Sequence, residues 1–487
     1  MYKITPKSLF AVGTLLATTF ACVNETQLQP NNFINSNGAR QGVSETGVKF
    51  KTGQYIIIAS DESLPADLEA SIVKANGKVG RTFGKVGIAT ATSSDPKFAD
   101  KAARIAGVRS VIRDAEVQWI DPVANQELKA EDIAALSATN PNTNQFFSFQ
   151  WGHKAISSPA AWAAGFQGEG ARVAVLDGGF DLTHPDLAGN IVYSKSFVPG
   201  EPAQYGLPDA FSHGTHTAGT VAAIDNNIGV VGVAPKAKLL LIKVLADSGS
   251  GSFSWMIQGL LDAVEQQADI ASMSLGAYLL RNGKYLDDNG TPADPSDDFV
   301  GHDAKSVQEL INAITRVVSY ATKQGVTVIA AAGNDGINGN KDGSGLTIPG
   351  NLPNVISISA TGPLGWFANR ATDLDRFASY SNYGTPDITF AAPGGDFALF
   401  PNANYQYDMV LSTGALKSYY FSAGTSMATP HAAGVAALIV GKNGGRMDPT
   451  RVEAALRASA DDLGAPGRDP LYGYGRVNAY KAVVNAQ

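Results

Sequence analysis

The stretch Val173-Ala174-Val175-Leu176-Asp177-Gly178-Gly179 sets four apolar residues directly against a carboxylate and two glycines. An apolar run without polar alternation describes a strand buried on both faces, the condition of a parallel sheet clothed by helices. The acid then falls at the carboxyl end of that strand, on a turn that small residues permit, and open α/β sheets bind their ligands at that edge. Taken alone, Asp177 reads equally well as a turn or helix cap.

Comparable runs recur outward from this stretch, at Leu239 to Val244, Ile270 to Met273 and Val326 to Ala331, with helical segments between them. The predicted fold from Trp151 onward is therefore α/β, a mostly parallel sheet with helices on both faces. Two further stretches bear chemistry. His213-Gly214-Thr215-His216-Thr217-Ala218-Gly219-Thr220 sets a histidine at the start of a helix of small, closely packing residues. Gly424-Thr425-Ser426-Met427-Ala428-Thr429-Pro430-His431 opens an apolar helix, so Ser426 stands at a helix N-terminus, where free N–H groups and the dipole favour negative charge.

Each stretch also has a plain structural reading. An isolated serine before a helix is usually its cap, and His213 with His216 lacks the third converging ligand of a metal site. An α/β-hydrolase nucleophile needs Gly-x-Ser-x-Gly, whereas Ala428 stands where the second glycine belongs.

Taken together, these stretches in the order Asp177, His213, Ser426, with His184-Pro185-Asp186-Leu187 and Ala331-Ala332-Gly333-Asn334, resemble the subtilisin family of serine proteases. The resemblance runs from about Gln150 to Val484 and includes the closing Tyr474-Gly475-Arg476-Val477-Asn478-Ala479. It implies a serine endopeptidase in which Ser426 attacks, His213 shuttles the proton, Asp177 orients the imidazole, and the Asn334 amide with the Ser426 N–H binds the oxyanion. Protein or peptide substrates would pair with the edge Ser274-Leu275-Gly276, and Ala331-Ala332-Gly333 would form the other wall of the specificity pocket.

The resemblance also implies a structural calcium ion held by Asp186 with Ile224, Asn226, Ile228 and Val230. Phe147 stands where the family has a glutamine ligand, with Gln150 three residues later. A second acidic stretch, from Asp287 to Asp298, reads as a solvated loop in preference to a second calcium site.

Ahead of this unit, residues 52–121 carry a βαββαβ pattern: a strand at Tyr55 to Ala59, a helix at Leu64 to Ala75, a strand pair near Arg81 to Thr92, a helix at Pro96 to Ala106 and a strand at Val111 to Trp119. Such small α+β units host many functions, so the pattern alone says little. Its position makes it resemble the family's propeptide, which assists folding and blocks the cleft. Residues 122–147 then form a linker with the processing site, and 148–487 the peptidase domain.

The N-terminus, with Lys3 and Lys7 before an apolar stretch from Ser8 to Ala21, fits a signal peptide over 1–21. The single cysteine, Cys22, cannot close an internal disulfide and resembles the lipidated cysteine of bacterial lipoproteins, although Thr19-Phe20-Ala21 serves ordinary cleavage equally well. Lipidation would anchor the precursor to a membrane until processing. Residues 22–51, rich in Asn, Gln, Ser and Gly, read as a flexible spacer. The net charge of −7 and the lack of a Lys/Arg run exclude a nucleic-acid surface. The expected product is an exported, secreted or envelope-associated enzyme, with a monomer as the default.

Overall fold

The computed structural model describes residues 48–120, 124–134, 144–287, 296 and 299–484. The signal peptide, Cys22 and most of the spacer lie outside the described residues. In chain order, the first unit comprises β1 (Val48–Ala59), α1 (Leu68–Lys74), β2 (Lys78–Phe83), β3 (Ile88–Thr92), α2 (Phe98–Ala102) and β4 (Val108–Gln118). These strands pair antiparallel in the order β4-β1-β3-β2. The βαββαβ pattern is therefore present, with shorter helices than the periodicity suggests.

Strand β1 begins at Val48, inside the stretch read as spacer. Val48 and Phe50 are buried beside β4 while Lys49 and Lys51 alternate outward, a period-two signal too short to stand out in a polar context. The rest of β1 divides its side chains between two cores. Tyr55 and Ile57 pack on α1 and α2, whereas Ile56 and Ile58 face the peptidase unit.

Part of the linker lies within the described residues. It contains β5 (Asn125–Glu127) and α3 (Ala130–Ala134), with Ala124, Leu128 and Ile133 packed against the peptidase core. Two short helices follow, α4 (Trp151–Ala155) and α5 (Ser158–Ala163). Next come β6 (Arg172–Asp177), β7 (Ile191–Ser196), α6 (His213–Ala222), β8 (Lys238–Lys243), β9 (Ser250–Ser252), α7 (Phe253–Glu265) and β10 (Ile270–Met273). After these come β11 (Ala277–Leu280), β12 (Lys284–Asp287), β13 (Phe299–His302), α8 (Ala304–Lys323), β14 (Thr327–Ala331), β15 (Gly345–Ile348), β16 (Val355–Thr361) and β17 (Phe390–Pro393). The chain closes with β18 (Val410–Thr413), β19 (Tyr419–Ser422), α9 (Thr425–Lys442), α10 (Pro449–Ser459) and α11 (Ala479–Val484).

The central sheet runs β17-β16-β14-β10-β6-β8-β7, with every neighbour parallel. Its strands serve two cores at once. Val173, Val175, Leu239 and Leu241 point to the side of α6 and α9, while Ala174, Leu176, Leu240 and Ile242 point to the side of α7 and α8. Alternating residues of one apolar run thus fill opposite layers, which is why the runs show no polar alternation. Helix α9 is buried from Thr425 to Val440, so its surroundings rather than an amphipathic face hold Ser426 in place.

Candidate active site

Asp177 ends β6 and is fully buried. Its Oδ1 accepts from the Gly178 N–H at 2.7 Å, and its Oδ2 accepts from the Thr217 hydroxyl at 3.0 Å. His213 opens α6, whose cap is Ser212 accepting from Thr215 N. The helix approaches the end of β6 closely: a Cβ at Gly214 would fall 2.8 Å from the Gly179 carbonyl oxygen. His213 Nδ1 thereby lies 2.8 Å and 3.0 Å from the two Asp177 oxygens. An ionised carboxylate only accepts, so the imidazole donates from Nδ1 and its basic nitrogen is Nε2. That nitrogen is buried and has no hydrogen-bond partner among the described residues.

Ser426 lies in the first turn of α9, and its hydroxyl donates to the Ser274 carbonyl at 3.2 Å. Ser274 follows β10, the neighbour of β6, and the register Ile270↔Val173 sets it level with Asp177. The three sequence-predicted residues therefore meet at the carboxyl edge of adjacent strands. The Ser426 hydroxyl is turned toward the Ser274 carbonyl, and no hydrogen bond joins it to His213 among the described residues.

Asn334 follows β14, on the other side of β10. Ala331 and Ala332 are buried, and Gly333 holds φ +101° beside Asn382, whose Nδ2 would lie 2.3 Å from an added Cβ. Ser274-Leu275-Gly276 and Ala331-Ala332-Gly333 thus leave the ends of adjacent parallel strands, where a Cβ at Gly276 would lie 3.9 Å from the Ala331 carbonyl oxygen. Sequence reasoning missed a second edge: the Gly249 carbonyl and β9.

These edges hold this chain's own residues. Strand β4 runs antiparallel to β9, with Glu116 opposite Ser252, Val117 opposite Gly251 and Gln118 opposite Ser250. Trp119 continues the pairing. Its N–H donates to Gly249 O at 3.1 Å, its indole N–H to Gly251 O at 2.8 Å, and its carbonyl accepts from Gly276 N at 3.2 Å. On the far side, β5 pairs with β19, setting Asn125 opposite Ser422, four residues before Ser426.

Asp186 is fully buried, and no Lys or Arg pairs with it among the described residues. Neutral donors surround it: Val230 N and Tyr419 OH, each 3.0 Å from Oδ2, and Asn226 Nδ2 at 3.1 Å from Oδ1. Burial raises its pKa above the usual carboxylate range. Gly229, at φ +48°, lets loop 224–230 pass over the carboxylate, since a Cβ there would lie 2.1 Å from Oδ2. The groups that this loop turns toward the buried acid are N–H donors, and the Asn226 amide oxygen accepts instead from Ile228 N at 3.1 Å.

Neither candidate for the glutamine ligand turns to this loop. Phe147 stacks on His153, and Gln150 pairs through its amide with both the N–H and the carbonyl of Val231. Instead Asn144, fully buried, inserts its carbonyl oxygen onto the N–H groups of Asn226 and Asn227. No group of three or more His, Cys, Asp or Glu converges as a metal site among the described residues, and His216 faces the Val410 carbonyl instead.

Residues 168–475 match the model of the subtilase family. The chain is 33% identical to subtilisin E of Bacillus subtilis over 371 residues, spanning 76% of this chain and 80% of that protein. It is 36% identical to the M-protease of Shouchella clausii, spanning 74% and 79%. It is also 34% identical to a subtilisin of Bacillus pumilus, spanning 69% and 98%. Among solved structures, the epidermin leader peptide processing serine protease of Staphylococcus aureus superposes with a TM-score of 0.68 at 22% identity, covering 90% of this chain and 99% of its own, and thus shares the fold. A buried acid at a parallel-strand end, a histidine held by it and a serine at a helix start are thus set in a matching sequence, and the chain belongs to the subtilase family of serine-type endopeptidases.

Proposed function

We propose that this peptidase works through an Asp177-His213-Ser426 triad, and that it is exported as a zymogen that cuts itself. The observation that carries the reading is the contact of His213 Nδ1 with Asp177 at 2.8 Å while Nε2 has no partner among the described residues. Ser426 gives its proton to Nε2 as its oxygen attacks the scissile carbonyl. The imidazolium, held by Asp177, then returns the proton to the leaving amine. The acyl group on Ser426 leaves by the same steps with water as nucleophile. Charge on the tetrahedral oxygen is met by the Asn334 amide and the Ser426 N–H, the latter at a helix N-terminus.

Extended peptides bind by strand addition between Ser274-Leu275-Gly276 and the Gly249–Gly251 edge, with the first residue before the cut between the walls Ser274–Gly276 and Ala331–Gly333. The way Trp119 fills this edge supports residues 52–121, extended to Val48, as the inhibitory propeptide. It also supports a first cut shortly after Trp119, at the start of the 122–147 linker. Cys22 and the leader belong to the part so removed, which would free an envelope-anchored precursor into the exterior.

Calcium would be held by Asp186, the Asn226 amide oxygen and the carbonyls of Ile224, Ile228 and Val230, where it would compensate the buried charge. It takes no part in the reaction.

The test is intact-mass analysis of purified protein with and without a fluorophosphonate, followed by mapping of the adduct. A chain beginning close to residues 120–147 and carrying one adduct on Ser426 is expected. A full-length chain without adduct would refute both the processing and the nucleophile.

A further inference from the structure

The chemistry leaves one ordered segment unused, the hairpin β12–β13 between the substrate edge and α8. Its strands pair Lys284↔His302, Tyr285↔Gly301, Leu286↔Val300 and Asp287↔Phe299. Asp287, which opens the stretch read as a solvated acidic loop, is thus paired with Phe299, which follows that stretch, and the hairpin reaches the N-terminal unit.

Four contacts join them. Strand β12 lies parallel to β1, with Leu286 opposite Lys49. The Tyr285 ring meets Phe50 edge-on at 4.8 Å. The Arg113 guanidinium lies over both rings, 5.0 Å from Phe50 and 5.5 Å from Tyr285. Its Nη1 also donates to Asp287 Oδ2 at 2.7 Å. Gly301 leaves room for the arrangement, since a Cβ there would fall 2.4 Å from the Tyr285 ring.

The placement of these contacts matters more than their number. Val48 and Phe50 of β1 pair with Val117 and Ala115 of β4, just upstream of Trp119. The strands therefore run β13-β12-β1-β4-β9 across the two units. The inner pair belongs to the N-terminal unit and both flanking strands to the peptidase unit. An edge strand left bare is an open template for pairing, and here both edges are closed by the same partner.

We propose that the β12–β13 hairpin is a clamp for the N-terminal unit, holding it on the peptidase after the chain between them has been cut. The severed unit then remains seated as a bound inhibitor, and its departure becomes a separate step. This rests on the reading of that unit as inhibitory. The hairpin recognises an extended strand that presents an aromatic ring and a neighbouring guanidinium.

The experiment uses the full chain with Ser426→Ala and a recognition site for an added protease in place of residues 121–123. After cutting, dissociation of the N-terminal fragment is followed by size-exclusion chromatography. Asp287→Ala and Tyr285→Ala are each expected to speed dissociation about tenfold, as loss of one partner in an interfacial charge or aromatic contact does. The exchange Arg113→Asp with Asp287→Arg is expected to recover most of the loss in Asp287→Ala. Thermal unfolding of each uncut variant reports whether the peptidase unit is intact. Equal dissociation rates in all variants overturn the clamp. Repeating the cut with Ser426 present separates the two readings: a fragment that stays bound while a small peptide is hydrolysed at full rate sinks the inhibitory reading and leaves the clamp standing.

Discussion

The side-chain oxygen of Asn334 accepts two hydrogen bonds from Thr425, one from its N–H and one from its hydroxyl, each at 2.8 Å. The hydroxyl in turn accepts from Gly333 N at 3.2 Å. An amide whose oxygen is held twice cannot flip without stranding both donors, so its NH₂ is kept on the opposite side. The residue beside the nucleophile thereby orients the group assigned to the oxyanion. Asn334→Leu should lower kcat about 10²–10³-fold with little change in KM, the scale known for subtilisin, a member of the same family. Thr425→Val, which removes one of the two bonds, should cost several-fold to about tenfold in kcat, and Thr425→Ser should recover it. Steady-state kinetics on a peptide anilide reads both, and an unchanged kcat in Asn334→Leu would remove the amide from the mechanism.

Three histidines outside the triad set the acid limit of the fold. His153, His216 and His431 are at most 3% exposed, and burial lowers their pKa values to about 3, 3 and 4. The unfolded chain binds protons at these sites from about pH 6.5 downward while the folded chain does not, so stability falls as pH drops through that window. Each contributes about 1.4 kcal/mol per pH unit between the two values. Urea unfolding of the Ser426→Ala chain should show a steep loss from pH 6.5 to 4.5, reduced in His153→Phe. A flat profile would contradict the neutral, buried state of these rings.

Asp114 couples the two units to pH in the opposite sense. It lies on β4, and its carboxylate accepts from Ser254 Oγ at 2.6 Å and Ser254 N at 3.2 Å in the first turn of α7. Burial outweighs these donors and raises its pKa to about 6. A raised carboxylate pKa means that the docked form holds the proton more tightly, so docking weakens as pH climbs from about 4 to 6. Asp114→Asn should remove that dependence, and Asp114→Ala should weaken docking at all pH values by about 1 kcal/mol through the lost cap. Dissociation of the cut fragment at pH 4.5 and 7 measures both.

Charge compensation at Asp186 gives the metal prediction. Chelation should lower the unfolding temperature by about 5 °C or more, with added calcium restoring it. Asp186→Asn should abolish the calcium response while keeping the contacts of Val230 N and Tyr419 OH. A chelator without effect on the unfolding temperature would show that those neutral donors suffice.

The sequence was most legible where chemistry demands a residue type at a fixed place in the fold. Asp177, His213 and Ser426 stand beside glycines and small residues, and the structure brings His213 onto Asp177 and the Ser426 hydroxyl onto the Ser274 carbonyl at the end of the neighbouring strand. The supporting residues were not legible: Thr217 holds Asp177, Thr425 holds Asn334 and Asn144 holds the loop at Asn226, yet each is ordinary in its local context and only folding reveals what it touches. The same holds for pairings between distant segments. Nothing near Trp119 announces that it will lie between Gly249 and Gly276, and the alternation of Val48 to Lys51 is too short to outweigh its polar surroundings. Local signals reported elements, and long-range registers decided what those elements do.

On the proposed reading of the cleft, Trp119 and β4, paired with β9 and Gly276, make the uncut chain a competitor at fixed local concentration. A tethered strand faces its site at an effective concentration on the order of millimolar, whatever the amount of protein in solution. One cut converts that constant into an ordinary dissociation equilibrium, governed by dilution. Concentrated enzyme would then stay silenced by its own severed strand, and the same molecules would become active on dilution.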